Sequence, residues 1–142
     1  MKKYFLVSGI LLITATSFCQ EKKERVEIPS AAEVAFKKSY PAATKTKWSK
    51  EGSDFEVNFI NGKNEMAAVY SSNGELKETE IEIEPTALPA GVTTYVKEHY
   101  KTTIKEAAKI TKANGEINYE AEVNKKDLLF DKNGKFIKEQ KD

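Results

Sequence analysis

The sequence predicts an α+β protein made of two tandem repeats, each a helix followed by four antiparallel strands, with the helices on one face of a sheet. Three observations predict it: anchor residues recur about 60 positions apart, each copy opens with helical periodicity, and alternating strand patterns separated by Asn-Gly dipeptides follow. With 142 residues, one cysteine, 23 basic and 22 acidic residues, the chain is neither a disulfide scaffold nor charged like a nucleic-acid-binding protein.

The internal duplication rests on segments that match in the same order. Ile28-Pro29 and Leu88-Pro89 open stretches that end in tyrosine, and YSSNGEL at 70–76 matches FDKNGKF at 130–136 with the same offset of 60. FEV at 55–57 matches YEA at 119–121 with an offset of 64. We therefore expect a first repeat at 28–84 and a second at 85–142, sharing one sheet because the linker between them is short.

Each repeat is expected to begin with a short amphipathic helix. Apolar residues recur at helical spacing in both copies, at Ala32, Ala35, Phe36 and Tyr40 and again at Val92, Val96 and Tyr100. The first helix begins either with Pro29 in its first turn or with a capping box formed by Ser30 and Glu33. Because isolated helices of this length are marginal in water, each needs the sheet for its stability.

The strands are predicted near 44–50, 54–60, 65–71 and 75–83, and near 104–112, 117–124, 126–131 and 135–140. Four dipeptides, at 61–62, 73–74, 114–115 and 133–134, read Asn-Gly, which is typical of hairpin turns whose two central residues both have positive φ. In KETEIEIE at 77–84, Leu76 lies out of phase with Ile81 and Ile83. Either a bulge midway or a strand that changes partners between the repeats explains this shift.

The first nineteen residues predict a secretory signal peptide. Lys2 and Lys3 precede the apolar run FLVSGILLITA, and SFC at 17–19 offers small residues at the positions that a signal peptidase reads. We expect cleavage after Cys19, followed by a charged segment at 20–27, and a periplasmic or secreted protein with no transmembrane segment in the mature chain. Lipidation of Cys19 is the alternative, which bulky Phe18 disfavours.

Few residues offer chemistry, and the sequence predicts no catalytic, metal-binding or cofactor-binding site. His99, the only histidine, lies between apolar positions of the second helix and is expected at the surface. Asp131 to Gly134 lacks the acidic positions of a calcium loop and is expected to be a hairpin turn. Alternating glutamates, namely Glu78, Glu80, Glu82, Glu84, Glu120 and Glu122, are typical of the solvated face of a sheet rather than of an acid/base pair.

The motifs WSKEG at 48–52, FEVNF at 55–59 and VYSSNGEL at 69–76 resemble the repeat of PepSY-like proteins, which are also similar to β-lactamase inhibitory protein. The second copy repeats this pattern at 119–121 and 130–136 but has no tryptophan at the matching place. The resemblance implies a helix on a four-stranded antiparallel sheet, twice, in a small exported bacterial protein. It also implies binding or restraint of peptidases and other envelope proteins, which is analogy with the fold alone.

Three residues are candidates for contact with a partner. Trp48 is either an interface anchor on an open sheet or a core side chain over Phe36. Val69 and Leu129 point away from the core if Tyr70 and Phe130 are buried, and could form an apolar patch that binds a partner or a second copy in a weak dimer. The sequence thus favours a non-enzymatic module for an envelope protein or peptide, such as a hydrolase. The alternative is a carrier of small ligands or divalent ions on the acidic face.

Overall fold

The computed structural model describes residues 26–141, so the predicted signal peptide and the first residues after it lie outside the described part. Two helices, α1 (Ser30–Ser39) and α2 (Ala90–Tyr100), and one 3-10 turn at Pro85–Ala87 accompany a single antiparallel sheet. Its eight strands are adjacent in chain order: β1 (Thr44–Glu51), β2 (Asp54–Asn61), β3 (Asn64–Tyr70), β4 (Leu76–Ile83), β5 (Glu106–Lys112), β6 (Ile117–Val123), β7 (Lys126–Asp131) and β8 (Phe136–Lys141). The predicted α+β class and all eight predicted strands are confirmed.

Both helices begin immediately after a proline, and this corrects the two starts expected for α1. Pro29 is the N-cap rather than part of the first turn, and Ser30 is the first helical residue rather than a capping side chain. The Pro29 carbonyl accepts hydrogen bonds from the amides of Ala32 (3.0 Å) and Glu33 (3.2 Å). Pro89 precedes α2 in the same way. In both helices the fixed φ of the proline therefore defines the N-terminus, and no side chain caps it.

Each helix packs its apolar stripe on its own half of the sheet. Under α1, Phe36 lies between Val57, Phe59 and Tyr70. Under α2, Val92 and Val96 pack with a second cluster, made of Leu88, Ala107, Ala121, Val123, Leu128 and Phe130. The core thus lies between the two helices and one face of the sheet, and no helix formed by residues 26–141 covers the other face.

The hairpin turns use glycine differently from the expectation. None of the four predicted Asn-Gly turns has positive φ at the asparagine; positive φ is confined to the glycine. In three of them the glycine closes a three-residue turn: the Gly74 amide donates to the Ser71 carbonyl, with equivalent bonds at Gly115 and Gly134. The turn with two positive central φ values is instead Asn124-Lys125, between β6 and β7.

Two of these turns also pack against the first turn of a helix. A Cβ on Gly74 would lie 2.7 Å from the Ala31 carbonyl oxygen, and one on Gly134 would lie 3.1 Å from the Val92 amide nitrogen. No atom outside its own turn lies within 4 Å of the equivalent Cβ position at Gly115. The β3–β4 and β7–β8 hairpins therefore approach α1 and α2 as closely as backbone atoms allow, and glycine permits the approach.

Strand β4 joins the two halves. It pairs with β3 on one side and with β5 on the other over the same central residues, so the two halves share one sheet and β4 does not change partners along its length. A register shift also occurs, but at the start of β4 rather than midway, because Val69 pairs with Glu78 whereas Tyr70 pairs with Leu76. The same shift separates Leu129 from Phe130 opposite β8, so the duplication extends to the bulge.

Candidate interaction surface on the open sheet face

The sheet face opposite the helices, called here the open face, carries one alternating set of side chains from each strand. Because paired residues of adjacent strands point to the same side, the register defines a row across its centre: Lys47, Asn58, Ala67, Glu80, Ile110, Asn118 and Asp131. Glu78 and Glu82 flank Glu80 on β4, and Glu56 and Val69 lie beside them on β2 and β3. Glutamates of β2 and β4 thus lie close together on this face.

The open face is concave rather than flat. Ala108, Ile110 and Asn118 all lie on it, yet each is buried, with Asn118 only 2% exposed. Charges at the far side of the sheet also act on β4: Asp127 of β7 raises the pKa of Glu80, and Lys138 of β8 acts on Glu78. Strands three and four places away can act on β4 in this way if the sheet curls about its centre, as right-handed twist and bulges promote.

Glu80 occupies the centre of this concave face. Its cross-strand neighbours are the apolar Ala67 and Ile110, and its carboxyl forms no hydrogen bond or ion pair with any of residues 26–141. Burial, and to a smaller extent the negative charges of Glu56, Glu78, Asp127 and Glu51, together raise the pKa of Glu80 to about 7. Glu80 is thus half-buried, so it is less solvated than the sequence predicts for this glutamate face, whereas Glu82 is exposed.

The surrounding carboxylates differ in whether a hydrogen bond or an ion pair stabilises their negative charge. Glu56 accepts a hydrogen bond from the Asn58 amide, and Glu122 accepts one from Lys105 at 2.5 Å. Burial raises the pKa of Glu78, and the neighbouring Glu51 adds to this rise. The centre of the face thus combines desolvation with like charge, whereas β6 balances its acids with lysine. Alternation along β4 could not reveal this difference, because Glu80 and exposed Glu82 have the same pattern in the sequence.

The structure places Val69 and Leu129 on the open face, both half-buried, but does not bring them together. Val69 lies on β3 between Glu56 and Glu78, and Leu129 lies on β7 beside Glu120 and Lys138. Four strand spacings, roughly 19 Å along a flat sheet, separate β3 from β7. They are therefore two apolar positions toward opposite sides of an acidic centre rather than one contiguous patch.

Trp48 lies on the side covered by the helices, which corrects the interpretation of an anchor on the open sheet. It pairs with Val57, and its ring stands edge-on to Phe36 with centroids 5.6 Å apart and lies 6.2 Å from Tyr70. This is the alternative arrangement, a core side chain over Phe36. Trp48 remains half-buried because β1 is an edge strand, and it lines a groove of about 480 Å³ with Tyr40 and other residues of α1 and β1.

The other chemistry-bearing residues have structural surroundings. His99 is exposed on α2, with its ring centroid 4.2 Å from that of Tyr95. The Asp131 carboxylate accepts hydrogen bonds from the amides of Asn133 (2.8 Å) and Lys135 (2.9 Å), so it shapes its hairpin turn. Within residues 26–141, no three histidine, cysteine, aspartate or glutamate side chains are grouped so that they could hold a metal ion.

Comparison with protein families decides the affiliation of the chain. The model of the family described as "Putative beta-lactamase-inhibitor-like, PepSY-like" matches residues 19–78 and again residues 53–138. The chain belongs to the PepSY-like family. The two matches to this PepSY-like chain overlap at residues 53–78. No curated protein matches it in sequence.

Solved structures from Bacteroides share the fold of this PepSY-like protein. A BLIP-like protein of Bacteroides fragilis is 24% identical, with 85% of this chain and 91% of that one covered and a TM-score of 0.60. One of the "putative periplasmic proteins" of Bacteroides eggerthii is 15% identical, with 80% and 88% covered and a TM-score of 0.66. A DUF2874 family protein of Bacteroides uniformis is also 15% identical, with 80% and 89% covered and a TM-score of 0.65. At these identities the likeness shows the fold.

No helix formed by residues 26–141 of this PepSY-like chain has the length and apolar character needed to cross a membrane.

Proposed function

We propose that the protein is an exported, non-catalytic binding module whose open sheet face engages a protein or peptide partner, with inhibition of an envelope hydrolase as one form of that engagement. The observation that carries the proposal is the concave eight-stranded face that neither helix covers. The predicted signal peptide, the family and the neighbours named as periplasmic support an envelope location.

The size of the face suits such a partner. Eight strands at the usual spacing of about 4.8 Å, each six to eight residues long, span roughly 700 to 900 Å². A specific protein–protein interface buries about 800 Å² on each partner. The face also mixes apolar and polar side chains, as interfaces do, because buried Ala108 and Ile110 lie beside Glu80 and further polar and charged residues surround them.

The β-lactamase-inhibitor description of the family and the BLIP-like neighbour support inhibition as the specific form of binding. A hydrolase contacted by a rigid sheet face loses access of substrate without any chemistry from the inhibitor. Such a role agrees with a face on which side chains protrude from paired strands, because the strands hold them in fixed positions.

Affinity capture from an envelope extract tests the proposal. The immobilised wild-type protein is compared with a double variant, Val69→Gln and Leu129→Gln, which alters both sides of the open face without adding charge. Val34→Gln is the matched control, because Val34 is 66% exposed on α1, on the opposite side of the sheet.

We expect specific proteins to be retained by the wild type and by Val34→Gln and to be lost from the double variant. Thermal unfolding of all three verifies that the double variant is folded. Retention of the same proteins by the double variant would contradict the assignment of the open face. Captured hydrolases are then assayed for loss of activity on addition of the wild-type protein.

A further inference from the structure

We propose that the segment of the partner seated at the centre of the open face is cationic, and that one of its lysine or arginine side chains pairs with Glu80. This inference rests on the proposed function, since it names the chemistry of the partner at the same face. Four observations carry it: the isolation of the Glu80 carboxyl, the charges around it, the positions of the nearest lysines, and the walls that enclose it.

Glu80 is half-buried, and its carboxyl has apolar neighbours instead of a paired base. Ala67 and Ile110 pair with Glu80 on either side and offer only apolar side chains, and the carboxyl bonds to nothing within residues 26–141. A carboxylate that has lost part of its contact with water is stabilised by a cation placed beside it. A cation of a bound partner would form an ion pair with the Glu80 carboxylate.

Every charged group that acts on Glu80 is negative, whichever strand carries it. Glu51 comes from β1, Glu56 from β2, Glu78 from β4 itself and Asp127 from β7, and each disfavours ionisation of Glu80. Strands β3 and β5 contribute the apolar Ala67 and Ile110. A peptide cation at this position would therefore meet several carboxylates of one sign, which attracts it and repels an acidic segment.

The nearby lysines do not neutralise the centre. Lys112 of β5 and Lys138 of β8 act on Glu78 rather than on Glu80, and the Lys112 ammonium lies 2.8 Å from the Glu116 carboxylate. Lys112 is the last residue of β5, and Lys138 lies in the middle of β8, the edge strand four places from β4. This arrangement leaves the position beside Glu80 for an incoming cation.

The surroundings favour a long aliphatic cation rather than a bare metal ion. Beside the carboxyl, Ala67 and Ile110 form apolar walls, and Val69 lies one position further along the face. Lysine and arginine bury a hydrocarbon stem along apolar surface and place the charge at its end. A hydrated divalent ion instead needs several oxygen ligands around one point, and no such group of acids is formed by residues 26–141.

Binding of a cation in this way predicts a definite pH dependence. With a pKa of about 7, Glu80 is largely protonated at about pH 6 and largely ionised at about pH 8. A cation stabilises the ionised form, so it lowers the pKa of Glu80 in the complex and releases a proton. Affinity should therefore rise about tenfold from about pH 6 to about pH 8, in proportion to the ionised fraction.

The test uses a synthetic Gly/Ser peptide that bears several lysines, with its glutamate counterpart as the control probe. Each peptide is titrated into the isotopically labelled protein, and amide NMR shifts report where it binds. Glu80→Gln removes the charge and keeps the shape, whereas Glu33→Gln removes an acid from α1, on the other side of the sheet, where Glu33 lies 3.8 Å from Lys37.

We expect the lysine peptide to shift amides of β3, β4 and β5, and the glutamate peptide to shift none of them. Glu80→Gln should weaken binding and remove most of the pH dependence, whereas Glu33→Gln should behave as the wild type does. Equal binding by the glutamate peptide, unchanged affinity and pH dependence in Glu80→Gln, or saturation of the site by calcium before the peptide at matched ionic strength would each overturn the proposal.

Failure of this inference is distinguishable from failure of the proposed function. If the lysine peptide does not bind but envelope proteins are still lost from the Val69→Gln, Leu129→Gln variant, the cationic assignment is wrong and the open face remains the interface. If the lysine peptide does not bind and the double variant still retains the same envelope proteins, the assignment of the open face as the interface is wrong.

Discussion

Gly74 and Gly115 offer a matched pair that isolates the contact between a hairpin turn and a helix. Both glycines close a three-residue turn, and both have a φ of +85°. They differ in their surroundings, because a Cβ on Gly74 would lie 2.7 Å from the Ala31 carbonyl oxygen and 3.0 Å from its carbon, whereas the position at Gly115 is open. Replacing each glycine by alanine therefore applies the same backbone strain with and without a collision.

The two costs can be estimated separately. Alanine at a φ in the left-handed region costs about 1 kcal/mol, and this applies to both Gly115→Ala and Gly74→Ala. The added methyl group at Gly74 must also displace the backbone of Ala31 or its own hairpin, and overpacking of this kind costs about 1 to 3 kcal/mol. We therefore expect Gly115→Ala to lower the free energy of unfolding by about 1 kcal/mol and Gly74→Ala to lower it by about 2 to 4 kcal/mol.

Urea unfolding at equilibrium, followed by tryptophan fluorescence and by circular dichroism, measures both losses. Trp48 is the only tryptophan and lies under α1, so its fluorescence reports on the half of the protein that Gly74 affects. Coincidence of the two signals would verify two-state unfolding. Equal losses for the two variants would refute the close contact between the β3–β4 turn and α1, since the strain from φ would then account for everything.

Three further predictions follow from burial, charge and backbone conformation. Trp48→Ala should lower the free energy of unfolding by about 2 to 3 kcal/mol, less than for a fully buried tryptophan, and leave binding by the open face intact in the NMR titration. Because folding raises the pKa of Glu80 to about 7, the contribution of this group to stability should be greatest below about pH 4.5 and should fall toward about pH 8. Glu80→Gln should remove this loss, which is on the order of 3 kcal/mol and is measured by urea unfolding at both pH values. A variant whose stability depends on pH as strongly as that of the wild type would contradict this prediction. Lys125 has a φ of +62° and follows Asn124 in a type of turn that favours Asn-Gly. Lys125→Gly should therefore raise the free energy of unfolding by about 1 kcal/mol, and with it the melting temperature. A lower melting temperature would contradict the assigned turn.

The sequence was informative wherever a short-range pattern determines the structure. Alternation of Phe55, Val57 and Phe59 identified β2 and its buried face, and the recurring segments revealed both copies. The Asn-Gly dipeptides located four hairpins correctly. They did not define the turn type, because a two-residue turn and a three-residue turn both place glycine at positive φ and differ only in strand register.

The environment of the open face lay beyond the sequence for a physical reason. Glu78, Glu80 and Glu82 alternate identically along β4, and only the curvature of the whole sheet decides that Glu80 is enclosed. Trp48 posed the same difficulty, since the free edge at β1 leaves it half-exposed although it faces the core. Such burial depends on the arrangement of strands that are far apart in sequence, and local periodicity carries no information about that arrangement.

The two copies differ in charge at the positions that form the acidic centre of the open face. The register of β8 against β7 repeats that of β4 against β3, so Lys138 and Gln140 occupy the places of Glu78 and Glu80. In β8, at the exposed edge of the sheet, a carboxylate would cost little, yet the copy there carries a lysine and an amide. In β4, where pairing with β5 encloses the strand, the copy carries acids although burial raises their pKa. Solvation alone would favour the reverse distribution, and this difference supports the proposed pairing of Glu80 with a cation from outside the chain.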